Sequence, residues 1–283
     1  IRREEGYVGL FGRTGHADIR NVFLNQVHIE GDSLVGGLVG SFEPQAGLSY
    51  VSNCHVEGNI YSSSGKTGGI IGRASYISLS SSSFKGNIFA LKGQNGGLIG
   101  KTTAWDKALI SKSFAHATIT RNPNHSDTVS FYSNGGLVGA FNNEEISECY
   151  AKGEVNGEYN VGGLAGTNKG VIKKSYSEAS VYGERNIGGL VGKNTGFGAL
   201  THTYSSGDVG GFSRTGGLVG ANLQSGSIKH SFSIGKVTGD EETAGFAGFD
   251  DSAGEITGSY WATDSSGYSG TGVSGGTEKE VNG

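Results

Sequence analysis

Gly188-Gly189-Leu190-Val191-Gly192 does not occur once. Its last four residues, glycine–apolar–apolar–glycine, return nine times along the chain. The copies start at Gly9, Gly37, Gly69, Gly97, Gly136, Gly163, Gly189, Gly217 and Gly245, the last degenerate as Gly245-Phe246-Ala247-Gly248. The intervals are 28, 32, 28, 39, 27, 26, 28 and 28 residues. Fixed-period self-similarity of this length is the mark of a repeat architecture.

A second segment keeps the same phase. It reads apolar-x-x-small-aromatic-x-x-Gly-x-Val, as in Ile146 to Val155, Ile172 to Val181, Leu200 to Val209 and Ile228 to Val237. Leu79 to Ile88 fits the register with Ser82 and Ser83 in the small and aromatic slots, and the first coil slips by one residue near Val27. Apolar residues alternate over short runs separated by Gly, Asn and Ser, and no window sustains a period of 3.6, so the runs are strands. A unit of about 28 residues with no helix cannot bury its own apolar face and must stack on copies of itself. The fold expected is therefore all-β: a right-handed parallel β-helix, or solenoid, of about nine coils. We expect one domain over 1–283: a partial first coil at 1–12, repeats over 13–260, and a Gly/Ser-rich tail or cap at 261–283.

Equivalent residues should then form columns about 4.8 Å apart. Leu38, Ile70, Leu98, Leu137, Leu164, Leu190 and Leu218 form an inward column. The flanking glycines mark corners needing either positive φ or close backbone approach. Phe114, Tyr150, Tyr176, Tyr204, Phe232 and Tyr260 form an aromatic column whose direction, inward or outward, the pattern leaves open. Cys54 and Cys149 share one small-residue slot three coils apart, roughly 14 Å along the axis. That exceeds the ~7 Å a disulfide allows, so two free, buried thiols are expected.

Composition narrows the function classes. Glycine is 53 of 283 residues and proline only Pro44 and Pro123, which excludes collagen-like chains. Hydrophobic residues at 35% suffice for a core. Net charge is −4, from 22 basic and 26 acidic residues, with no basic stripe, so a nucleic-acid partner is not expected. No apolar run is long enough to span a bilayer, so membrane insertion is not expected either. Methionine is absent even at position 1, which suggests a segment of a longer precursor.

The Gly-Gly-Leu-Val-Gly runs at 36–40, 135–139, 188–192 and 216–220 resemble the GLUG motif family. The terminal Ser259-Tyr260-Trp261 before a Gly/Ser-rich stretch resembles the way such arrays end. The resemblance covers about residues 6 to 276. It implies a large secreted bacterial protein, such as an adhesin-like exoprotein or the non-catalytic region of an IgA-cleaving metallopeptidase. It implies no catalytic residues.

Catalytic signatures fail on inspection. Gly270–Gly275 fits a dinucleotide pattern and Gly272–Gly276 a hydrolase elbow, but no helix follows either. Gly65-Lys66-Thr67 lacks the first glycine of a phosphate loop, Ile60 standing there instead. There is no His-Glu-x-x-His. We expect no catalytic residue, no cofactor and no enzyme activity. His202 and His230 should be neighbours on adjacent coils and form the one weak metal-ligand pair; an exposed polar ladder with Lys112, Glu148 and Lys174 is the plainer reading. Asp240-Glu241-Glu242 and Asp250-Asp251 are expected in turns, solvating them.

Irregular coils point to binding, because insertions in repeat proteins gather where partners dock. The 39-residue interval holds an insertion over 121–128. A widening over 42–50 and the loop at Trp105 share a corner two coils apart. Trp105, Asp106, Lys107, Arg121, Asn124, His125 and Asp127 are the candidate binding residues, for a host or matrix glycan or protein. The expected function is a non-enzymatic structural or adhesive module, extracellular or on a cell surface. The alternatives are a subunit self-associating end to end into a filament, and a glycan-cleaving β-helix enzyme.

Overall fold

The structure is a computed structural model and describes residues 1, 6–44, 47–103, 107–122, 131–142, 145–267 and 272–273. Each coil runs through four short strands. In the third coil these are Ser83–Ala90, Gln94–Gly96, Ile99–Thr102 and Ala108–Ser111. The first two join an 18-stranded sheet, and the others join two sheets of nine strands each. All the strand pairings are parallel, coil upon coil. The chain is a β-solenoid of about nine turns spaced roughly 28 residues apart.

Register follows from which residues must be dry. In the third sheet Ile19, Val51, Leu79, Ile110, Ile146, Ile172, Leu200, Ile228 and Ile256 stand over one another. All nine are buried, and their strand neighbours face outward. A one-residue slip would turn this entire column to solvent. At ~1.5–3 kcal/mol per buried aliphatic side chain, the core columns hold the coils together. The expected slip in the first coil is present as a break in register between Leu24 and Val27.

The Leu column is fully buried from Leu38 to Leu218. Its carbonyls also do double service. The Leu164 carbonyl accepts N–H bonds from both Leu137 and Val138 at 2.9 and 3.0 Å, and Leu190 does the same for Leu164 and Ala165. This brings the preceding glycines against the next coil. A Cβ on Gly97 would lie 2.1 Å from the Gly136 carbonyl oxygen, and one on Gly163 would lie 2.1 Å from that of Gly189. Close approach, not positive φ, requires glycine at this corner.

Positive φ falls elsewhere. Where the third sheet hands over to the first, Asn21, Asn53, Ser81, Lys112, Glu148, Lys174, His202 and His230 all have φ of 47–56°. Gly258 completes the column at 56°. The residue after each turns inward. Its hydroxyl, where it is serine, accepts the N–H of the coil before: Cys54 N–H to Ser82, Ser82 to Ser113, Cys149 to Ser175, at 3.1 Å each. The Ser82 hydroxyl in turn donates to the Ser80 carbonyl at 2.7 Å. Cys54 and Cys149 occupy this slot as buried, free thiols.

A buried amide ladder lines another corner. Asn168 donates to Asn194, Asn194 to Asn222 and Asn222 to Asp250, each at 2.8 Å. The same amides also bind the carbonyls of Gly170, Gly198 and Gly226. At the C-terminal end Trp261 packs beneath Gly245, and the Gly272 carbonyl accepts the Phe246 and Ala247 N–H groups. Gly272-Val273 thus repeats the Leu-Val corner as a further rung. Among the described residues of 261–283 there is also a short helix, Thr263–Ser266.

Candidate functional site

The aromatic column faces outward. It lies on the outer surface of the large sheet, beside inward-facing Ala115, Ala151 and Ser177. Phe114, Tyr150, Tyr176, Tyr204 and Phe232 stack with centroids 4.7–5.1 Å apart and planes within 6° of parallel. Parallel strands fix this spacing, because residues in register sit one strand apart. Each contact adds roughly 0.5–1.5 kcal/mol beyond burial. The rings cover one another's faces and present edges and hydroxyls to solvent.

Tyr260 is the register partner of Phe232 but stands half exposed. At the other end the track continues through Ser83 and His55 to Phe23, whose ring packs on His55. A second, shorter stack, His28–Tyr61–Phe89, lies on the same face. Neither extension was read from the sequence. Alternation in Ser83–Ala90 places Phe89 and Ser83 on one face, which was the usable signal.

Charges flank the stack in pairs across coils. Lys152 binds Glu178 at 2.7 Å and lies over the Tyr150 ring, 5.7 Å from its centroid. Lys85 pairs with Glu57 at 3.5 Å. Burial raises the Tyr176 and Tyr204 hydroxyls above the ordinary tyrosine value, with neighbouring negative charge acting in the same direction. His116, wedged beside Phe114 and Tyr150, is lowered by burial first and by Lys152 and Lys85 next.

His202 and His230 do meet. Their centroids are 5.1 Å apart with planes tilted by 26°. Stacked imidazoles do not aim two lone pairs at one point, and the Thr201 hydroxyl sits 3.1 Å from His202 Nδ1. Among the described residues no group of three or more metal-ligating side chains occurs.

Of the binding residues expected at irregular coils, the structure describes two. Trp105, Asp106, Asn124, His125 and Asp127 lie outside the described residues. Lys107 is exposed at the corner between the second and third sheets, where its carbonyl accepts the Ile77 N–H at 2.8 Å. Arg121 closes a strand of the large sheet, pairs with Glu158 and lies over the Phe131 ring. Lys107 and Arg121 therefore belong to different corners, and the chain between them forms two strands and their turn. In the widening over 42–50, Glu43 binds both Arg13 and Arg73, a structural clamp.

The acidic clusters are not in turns. Asp240–Glu242 belongs to the strand Val237–Ala244, and Glu242 pairs with Arg214 at 2.8 Å. Asp250-Asp251 belongs to Ala247–Ser252. Asp250 is fully buried and ends the amide ladder. The alternation in these runs outweighs their charge: Asp251 points out, Asp250 in.

We found no match to this chain among curated proteins or among solved structures. Two consecutive coils, residues 183–210 and 213–238, match the family model described as the GLUG motif. They hold the regular glycine corner and the stacked Tyr204, so the chain is a solenoid that carries GLUG repeats.

Proposed function

We propose that this chain is a non-enzymatic structural and adhesive repeat module of a secreted or surface-displayed protein. One observation carries the reading. The inward residues of every coil go into one continuous core, while the outward ones form parallel tracks that repeat from coil to coil. Such a surface offers many equal, weak contacts along a rod. That suits multivalent attachment, in which linked sites gain avidity without a strong single site. Acid–base catalysis needs two or more groups converging within hydrogen-bond reach of one substrate atom. The acidic groups of the last coil instead spread between a buried ladder, an arginine pair and solvent.

The test is adhesion of beads coated with the purified domain to host cells and matrix proteins, alongside a panel of polysaccharides assayed for cleavage. The expected result is retention that grows steeply with coating density, with no cleavage. Retention equal to that of uncoated beads, or turnover of any polysaccharide, would overturn the reading.

A further inference from the structure

A cleft of about 270 Å³ opens where three successive coils turn within the large sheet. It is lined by Ser64, Lys66, Lys92, Gly93, Gln94 and Tyr132. Lys66 and Gln94 are register partners on adjacent coils. A Cβ on Gly93 would lie 1.5 Å from the Gly65 carbonyl oxygen, so the floor is backbone against backbone and cannot be filled by a side chain. The volume approaches the ~300 Å³ lower bound of small-molecule sites.

Cations gather in and beside this cleft. Several cations elsewhere find carboxylates on a neighbouring coil, Lys85 with Glu57, Lys152 with Glu178, Lys173 with Glu145 and Lys229 with Glu255, while half-buried Lys193 has no ion pair among the described residues. Lysines at the exposed corner, such as Lys112 and Lys174, stand in water and need no partner. Lys66 is half-buried, and so is Lys101 on the adjoining sheet. Neither has a carboxylate within ion-pair distance among the described residues. Burial first, and then Lys66, Lys169 and Arg73, hold Lys101 below the ordinary lysine value. Lys92 is exposed at the rim and is attracted to Asp32, one carboxylate oxygen of which accepts the Ser63 and Ser64 hydroxyls at 2.6 and 2.9 Å.

The remaining groups indicate what the anion is attached to. Among the described residues the Gln94 side-chain amide has no hydrogen-bond partner. Tyr132 is 38% exposed, and unlike the stacked tyrosines it has no ring covering its face among the described residues. An open aromatic face beside amide and ammonium donors matches a sugar ring bearing an acidic group. We propose that this cleft is a binding site for an acidic saccharide, with Lys66 and Lys92 holding its carboxylate or sulfate, Gln94 a hydroxyl, and Tyr132 the ring face. The proposal deepens the adhesive reading by naming a ligand class, and it rests on that reading.

Calorimetric titration of the whole chain tests it with four probes of matched length: a heparin-derived oligosaccharide, an oligogalacturonate, a neutral malto-oligosaccharide and polyglutamate. Binding of one or both acidic saccharides, weakened by added salt, is expected, and the neutral chain and polyglutamate should not bind. Oligogalacturonate binding means that carboxylate suffices; binding of the heparin fragment alone means that the site reads sulfate. The double variant Lys66→Gln/Lys92→Gln should weaken binding at least about tenfold with an unchanged melting temperature, while Lys112→Gln should not. Three outcomes would overturn the proposal: neither acidic saccharide binding, equal binding by the double variant, or polyglutamate binding as tightly. Bead retention that survived any of these would leave the adhesive reading standing without this cleft.

Discussion

Two corners of the same coil obey opposite rules. Where the large sheet passes to the second sheet, backbone meets backbone, and every residue in the Gly-Gly-Leu-Val-Gly turn is fixed by the coil above it. Where the third sheet passes back to the large one, the chain takes a left-handed step and its side chain points into water. The first corner has the same composition in nearly every coil. The second carries Asn, Ser, Lys, Glu, His and Gly by turns. Both are equally regular as backbone. The difference teaches that sequence repetition in a solenoid follows contact between coils, and geometry alone does not enforce it.

The glycine corner should therefore be the most fragile place in the coil. Gly163→Ala puts a methyl group 2.1 Å from both the Gly189 carbonyl oxygen and the Ser177 hydroxyl. The backbone cannot yield without parting two coils. A loss of about 3 kcal/mol or more is expected, at the upper end of overpacking effects. Chemical denaturation of the variant measures it. A loss under about 1 kcal/mol would mean that the coils are free to separate there and that the two corners differ less than their contacts suggest.

The left-handed corner is permissive only on its outer side. The residue following it is as dry as any glycine-corner residue, and Cys149 shows this through its thiol. Burial pushes that thiol up from 9.0 to about 12, opposed weakly by backbone hydrogen bonding at Ser113 and Ser147. The sign is set by proton count. Above about pH 9 the unfolded chain has lost a proton that the folded chain keeps, so stability falls as pH rises toward 12. The stabilisation is whole below the unfolded value. Between about pH 8 and about pH 10.5 the loss should reach about 2 kcal/mol, at ~1.4 kcal/mol per unit. Serine already fills this slot in other coils and keeps the hydroxyl relay. Cys149→Ser should thus match the parent near neutrality and show a flatter alkaline limb in urea titrations. Parallel limbs would show that the slot is wet.

The amide ladder is a third kind of corner, buried but polar. Asn194→Ala would leave the Asn168 amide without one of its two acceptors and take the Asn194 donor from the Gly198 carbonyl and the Asn222 amide oxygen. Unmet buried groups cost about 1–3 kcal/mol, so a loss of about 2 kcal/mol is expected. Asn194→Asp should be no milder, because a carboxylate there can accept from Asn168 but cannot donate to Asn222 or Gly198, whereas Asp250 at the end of the ladder accepts from Asn222. If both variants denature with the parent, water has replaced the ladder.

Much of this was legible in the sequence, for a physical reason. The inward columns and the glycine corner repeat by type, and repetition is what a single sequence displays. The direction of the aromatic track was not legible, because alternation fixes which residues share a face without saying which face is dry. Asp250 was misplaced for a similar reason: a charge in a Gly-rich stretch reads as a turn, and only its stacking beneath Asn222 reveals a buried strand position. The cleft at Lys66 and Lys92 was missed because it depends on what the neighbouring coils lack. Of the binding residues expected from insertions, only Lys107 and Arg121 fall among the described residues, and these two stand at separate corners.

The smallest expected effect separates the two corners most cleanly. Lys174 holds φ at 48° with its side chain exposed. A non-glycine residue in that region carries roughly 1–2 kcal/mol of strain. Glycine relieves the strain but surrenders up to about 1 kcal/mol in unfolded-chain entropy. Lys174→Gly should therefore stabilise by up to about 1 kcal/mol, opposite in sign to Gly163→Ala. Lys174→Asn should do nearly as well, since asparagine tolerates this conformation and already fills it at Asn21 and Asn53. Destabilisation by both variants in equilibrium denaturation would mean that the lysine side chain makes a contact worth more than its strain. The outer corner would then be a fixed position like the inner one, and the freedom that lets it carry Glu148, His202 or Lys174 would need another cause.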